Sequence, residues 1–111
     1  MDKLDRYAIL IKDILTKDAR FKPSHGDIEP VLQFDDQRRS YQLMYIGWDG
    51  YRRVHAPILH LRLHNDKIWI EHDGTEEGVA TTLVNDGVPN QDIVLAFHAE
   101  SKRKYTEFAV T

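Results

Sequence analysis

The apolar positions of this chain change period along its length. Leu4, Tyr7, Ala8, Ile11, Ile14 and Leu15 recur at steps of three and four, which sets them on one stripe of a helix, while Lys3, Asp5, Lys12 and Asp13 fall largely elsewhere. The stripe predicts a helix packed on a core. Ile9 turns to the opposite side, where a lone apolar residue is either tolerated exposure or a partner contact. Pro23, Gly26 and Pro30 bracket a loop, and 28–34 reads as a first strand, with Pro30 suited to its start or to a sheet edge.

Alternation then replaces the helical period. Tyr41 to Trp48 and the stretch from Tyr51 flank Asp49-Gly50, a pair suited to a turn with positive φ at both central residues, so that Trp48 pairs with Tyr51, Ile46 with Arg53 and Met44 with His55. Asn65-Asp66 predicts a second hairpin, pairing Leu63 with Ile68, Leu61 with Ile70 and Leu59 with His72, and on the other face His60 with Glu71 and Arg62 with Trp69. Leu59, Leu61 and Leu63 share one parity and Val54, Ala56 and Ile58 the other. The buried face therefore switches near Pro57, which a bulge or bend there would repair; a strand covered on both faces is the alternative.

Beyond the second hairpin, Asp73-Gly74-Thr75-Glu76 is a helix-start signal in two frames, with either Asp73 or Thr75 as cap and Glu76 and Glu77 in the first turn. Val79, Ala80, Leu83 and Val84 form the stripe of that helix, and Gly87 and Pro89 end it. Pro89 to Asp92 suits a single turn, and Ile93 to Phe97 is a short apolar run, either strand or buried extended segment. These elements predict an α+β fold: an N-terminal helix, a four-stranded antiparallel meander sheet, a second helix and an irregular C-terminal segment.

Composition narrows the class. With 111 residues, 41% apolar and 30% charged, one domain spanning residues 1–111 with a single modest core is expected. No apolar run approaches the roughly 20 residues of a membrane span, and the start of the chain lacks the basic-then-apolar order of a signal peptide. A soluble, cytoplasmic protein is expected, with no membrane contact. The absence of cysteine excludes disulfides, thiolate nucleophiles and cysteine-bound zinc. A net charge of −3 argues against a strongly DNA-avid surface, though not against a local basic patch.

Three groups of residues carry candidate chemistry. His60, His64 and His72 lie close along one hairpin, but the predicted register sends His72 to the other face, so no metal site and no cofactor is expected. His60 with Glu71 then reads as a cross-strand polar pair, and Arg62 over Trp69 as a cation–aromatic contact. His72, Asp73, Thr75 and Glu76 gather at a strand end, where His and carboxylate suit acid–base chemistry. The same residue types cap helices, and with one histidine, no positioned nucleophile and no phosphate-binding glycine loop, capping is the favoured reading. Asp49-Gly50 is accounted for by its turn, which leaves Trp48 as core or partner anchor, with core favoured. Of the basic runs, Lys102-Arg103-Lys104 followed by Tyr105 is the nearest to a nucleic-acid contact with interleaved aromatics, against the plainer reading of a solvated loop.

Three blocks taken together, Gly47 to Gly50 (GWDG), Lys67 to Glu76 (KIWIEHDGTE), and Gly87-Val88-Pro89 with Asp92 to Leu95 and Phe97-His98, resemble the family of the fdxN element excision controlling factor XisI over nearly the whole chain. Proteins of that family occur chiefly in cyanobacteria, paired with a second factor, XisH, and the founding member is needed for a recombinase to excise a DNA element during heterocyst differentiation. XisH is similar to nuclease-fold proteins. The resemblance therefore implies a non-enzymatic accessory factor in DNA recombination, with an XisH-like protein and, beyond it, a site-specific recombinase as partners; a homo-oligomer is compatible with this role. No catalytic residues carry over from the family. The alternatives are a DNA-binding module using the basic tail and a small hydrolase at the junction from His72 to Glu76.

Overall fold

The computed structural model describes residues 2–111. The predicted first helix is α1 (Lys3–Asp18), started by Asp2, whose side chain accepts the Asp5 N–H at 2.8 Å. Tyr7, Ala8, Ile11, Ile14 and Leu15 are its buried residues, as the stripe requires, and Ile9 stands 52% exposed. Burying side chains of this size contributes about 1.5–3 kcal/mol each, which is what holds α1 on the sheet.

Five strands form that sheet among the described residues: β1 (Asp27–Asp35), β2 (Ser40–Asp49), β3 (Arg52–His64), β4 (Lys67–Asp73) and β5 (Ile93–Leu95), in the order β1-β2-β3-β4-β5. The first four make the predicted antiparallel meander. β1 lies at the edge, which tolerates Pro30 and its missing N–H. The core comprises the α1 stripe, Tyr41 and Leu43 of β2, Leu59, Leu61 and Leu63 of β3, Ile68 and Ile70 of β4, and Ile93.

The α+β class holds, with one strand more than expected. Ile93-Val94-Leu95 pairs in parallel with Ile68, Trp69 and Ile70, so the sheet is mixed. The C-terminal segment is correspondingly less irregular than expected. It contains a 3₁₀ turn (Asn90–Asp92), β5, and a short helix α3 (Glu100–Arg103), and Ala109 bridges back to Val94.

Registers differ in detail. The turn between β2 and β3 is Gly50-Tyr51, with Asp49 opposite Arg52, Trp48 opposite Arg53 and Ile46 opposite His55. The predicted pairs are thus displaced by two residues, and only Gly50 has positive φ (64°), as in two-residue turns that place glycine first. A two-residue shift preserves which face each side chain occupies. Gly47 is explained by its neighbour: a Cβ there would overlap the Asp27 carbonyl of β1.

The parity switch is real, and a bulge resolves it. Leu43 pairs with Leu59 but Met44 with Pro57, leaving Ile58 as the extra residue on β3. The second hairpin turns at Asn65-Asp66, with φ of 51° and 62°, and pairs Leu63 with Ile68, Leu61 with Ile70 and Arg62 with Trp69 as predicted. An unpredicted bulge at Glu71 then sets His60 opposite His72 and Leu59 opposite Asp73.

The second helix, α2 (Val79–Asn85), starts later than either predicted frame. Val79 and Leu83 are buried, whereas Val84 is 37% exposed and does not join the stripe. At its end Gly87, at φ 98°, donates its N–H to the Val84 carbonyl, and the Val88 N–H reaches the Leu83 carbonyl at 3.0 Å. These are the two bonds of a Schellman motif, sealed by buried Val88 against Leu83.

Candidate functional site

The junction between β4 and α2 is built on Asp73. Its Oδ1 accepts the Thr75 N–H at 2.9 Å and the Thr75 hydroxyl at 2.6 Å, while its Oδ2 accepts the Val79 N–H at 2.8 Å. Thr75 Oγ1 in turn accepts the Gly78 N–H at 3.2 Å. Asp73 therefore caps α2, but from six residues before the helix begins, with Gly78 at the usual cap position. The loop is tied to the bulge of β3, since the Gly74 N–H donates to the Ile58 carbonyl at 2.7 Å. The parity switch in β3 thus helps position the junction.

Beside the junction lies a half-open cleft of about 560 Å³. Thr75, Glu76, Glu77 and Thr82 supply one wall, Leu43, Tyr45 and Ile58 of the sheet the floor, and Asp18 and Phe21 the far rim. Burial raises the Asp18 carboxyl above its ordinary value, and the charges of Asp73 and Glu77 push it the same way. The cleft is therefore acidic. His72 does not line it and is exposed at the end of β4. The four predicted junction residues are divided: Asp73 is committed to backbone N–H groups, Thr75 and Glu76 face the cleft, and His72 lies apart. Asp18 had no local signal in the sequence, because only the fold brings the end of α1 beside the loop after β4.

The second predicted group sits on the face of the sheet away from α1. His60 Nε2 lies 3.0 Å from Ser40 Oγ, so its partner is a serine on β2 and not Glu71. Burial lowers the His60 pKa below its ordinary value, which the Glu71 charge only partly offsets. Glu71, displaced by its bulge, instead accepts from Arg62 Nε and Nη2 at 3.3 and 3.2 Å. The cation over Trp69 is Arg103, 5.4 Å from the ring centroid, and not Arg62. The Glu71 bulge also returns His72 to the side of His60, reversing the face assignment made from an unbroken register. Among the described residues, no three His, Asp or Glu side chains are grouped so as to hold a metal ion.

The basic tail is divided as well. Arg103 folds inward: Nε donates to the His98 carbonyl at 2.9 Å, Nη1 to Val110 at 3.2 Å and Nη2 to Ala96 at 3.4 Å. It is a clamp that ties the C-terminal segment to β4. Lys102, Lys104 and Tyr105 are exposed, with the Lys104 Nζ 5.2 Å from the Tyr105 ring centroid. Trp48, expected in the core, is 49% exposed with the Arg53 guanidinium over its ring at 5.2 Å. No helix of the described residues is long and apolar enough to cross a membrane.

Comparison with known proteins adds the family. A model of the XisI protein family matches residues 1–110. The chain is similar to the crystal structure of a XisI-like protein from Anabaena variabilis, at 38% identity and a TM-score of 0.91, over 97% of this chain and 99% of that one. It is similar also to the crystal structure of fdxN element excision controlling factor XisI from Anabaena variabilis, at 39% identity and a TM-score of 0.86, over 99% of this chain and all of the other. No curated protein matches the chain. Sequence blocks, sheet topology and end-to-end similarity agree, and the chain belongs to the XisI family.

Proposed function

We propose that this protein is an accessory factor controlling programmed, site-specific DNA excision of the fdxN element type, acting through protein contacts with an XisH-like partner. The observation that carries this reading is the end-to-end similarity, at 39% identity, to a solved fdxN element excision controlling factor. A non-enzymatic role is supported by how the candidate acid–base residues are used. The Asp73 carboxylate is occupied by backbone N–H groups and a hydroxyl, and His72 is not among the residues lining the acidic cleft. The commitment of Asp73 to the loop and the placement of His72 outside the cleft support the accessory reading over a hydrolase built on this junction. The basic-tail reading loses its central residue, because Arg103 is engaged by three carbonyls and a ring.

The test is affinity purification of the tagged chain co-expressed with the XisH-like protein of the same genome, followed by an excision assay on a reporter carrying the element's flanking sites. Stable co-purification, with excision dependent on both proteins, is expected. Excision that proceeds at full rate without this chain, or a chain that never co-purifies with the XisH-like protein, would overturn the proposal.

A further inference from the structure

The face of β1, β2 and β3 turned away from α1 is uncovered. Among the described residues α1 packs on the other side, where Tyr41 and Leu43 are buried, and the C-terminal segment meets the outer side at β4, through Arg103 on Trp69. The register arranges this open face in rows that cross the three strands. Asp27, Trp48 and Arg53 form the first row, and Glu29, Ile46 and His55 the second. Val31, Met44 and Pro57 follow, then Gln33, Gln42 and His60, and last Asp35, Ser40 and Arg62. Within these rows the carboxylates stand on β1 and the guanidinium groups and histidines on β3, with an apolar run of Met44, Ile46 and Trp48 between them on β2; Asp35 and Arg62 of the last row are already paired within the chain, with Arg38 and Glu71.

We propose that this face binds the same face of a second copy of the chain, about a two-fold axis parallel to β2. The distribution of charge selects that axis. A two-fold along β2 lays β1 of each protomer over β3 of the other and β2 over β2, so that in four of the five rows an acid or amide of one copy meets a base or donor of its partner, and in the third Val31 meets Pro57. A two-fold running across the strands would set β1 on β1 and β3 on β3, with like charges opposed, which costs affinity. Along the chosen axis Met44, Ile46 and Trp48 meet their own counterparts and form the dry centre, an arrangement close to the aligned packing of two sheets. Asp27 and Arg53 are the most telling pair. Among the described residues neither takes part in an ion pair, yet each has its complement two strands away, where only a second copy brings them together. This pairing goes beyond the accessory role and does not depend on an XisH-like partner.

Sedimentation of the full chain alone across a concentration series tests it. A dimer is expected, which Ile46→Asp dissociates while leaving the chain folded, as its circular dichroism and cooperative unfolding check; the wild-type unfolding temperature should rise with protein concentration and that of the variant should not. Asp27→Arg and Arg53→Asp singly should each weaken the dimer about tenfold or more, and the double swap should restore it, because residue 27 of one copy then again faces an opposite charge at residue 53 of the other. If Ile46→Asp does not fold, the swap series decides alone. A chain monomeric at every concentration, a dimer indifferent to Ile46→Asp, or a double swap as weak as the singles would overturn the proposal. So would a monomer that covers this face only when an XisH-like protein is added.

Discussion

The guanidinium of Arg103 lies over the ring of Trp69, 5.4 Å from its centroid, and fixes the C-terminal segment to the fourth strand. Trp69 is itself held by its Nε1–H donating to the His64 carbonyl at 2.9 Å. Arg103→Ala removes the ring contact and the donors to Ala96, His98 and Val110, and should cost about 1–3 kcal/mol. Arg103→Lys should recover little of this, because an ammonium has no planar fork to reach several carbonyls at once. Lys102→Ala should stay within about 0.5 kcal/mol. Urea unfolding of the three variants provides the check, and equal losses at 102 and 103 would contradict a clamp.

The register around the second hairpin sets Leu61 inward against Ile70 and Arg62 outward beside Glu71. Leu61 is fully enclosed in the core, so Leu61→Ala should cost about 2–5 kcal/mol through lost burial and the cavity left behind. Arg62→Ala breaks only a partly exposed ion pair and should cost under about 1 kcal/mol. Similar losses from the two substitutions would place the wrong face against α1.

What the sequence revealed follows from where its signals are apolar. The switch of parity between Ala56 and Leu59 is written in apolar residues, and it predicted a bulge or bend near Pro57, which the structure realises as the bulge at Ile58. The Glu71 bulge falls among Glu71, His72 and Asp73, where a slip moves one polar residue into the place of another and leaves no trace in the pattern. Ile93-Val94-Leu95 is too short for its period to distinguish strand from coil, and its partner Ile68-Trp69-Ile70 is reached only after a helical crossover. At the junction, Asp73 was legible as a cap. The distance from which it acts was not, because the bond to Val79 spans a loop whose path is set by the Ile58 carbonyl. Arg103 within Lys102-Arg103-Lys104 looked like its neighbours, since nothing local distinguishes a solvated cation from one turned back onto carbonyls.

Asp18 gives the fold a pH dependence of definite sign. Burial first, and then the charges of Asp73 and Glu77, raise its carboxyl above the ordinary 3.8, so the folded state holds this proton more tightly than the unfolded chain. As pH rises through 3.8 toward the folded value, the native state carries the excess proton and stability falls; above that value the loss is complete and constant. Asp18→Asn should therefore raise the unfolding temperature at neutral pH, and the gain should vanish once the pH is below 3.8. Unfolding temperatures of wild type and variant measured across acid and neutral pH test this. A gain that persists unchanged into acid would trace to some cause other than the ionised carboxylate.

Asp73 is the residue at which structure and catalysis are most easily separated. Both of its oxygens are acceptors, one for the N–H and hydroxyl of Thr75 and the other for the N–H that opens the second helix. An ordinary N-cap uses one oxygen and tolerates Asn, but here the carboxamide keeps only one acceptor and must surrender one side. Asp73→Asn should cost about 1 kcal/mol and Asp73→Ala about 2 kcal/mol or more. Both should leave partner binding intact at temperatures where the variants remain folded. Thermal unfolding combined with the excision assay makes the comparison. An Asn variant as stable as wild type would mean that one of the two oxygens contributes nothing to the loop. An Asn variant that is folded and binds its partner yet loses excision would make the carboxylate a reacting group, and the accessory reading would give way to an enzymatic one.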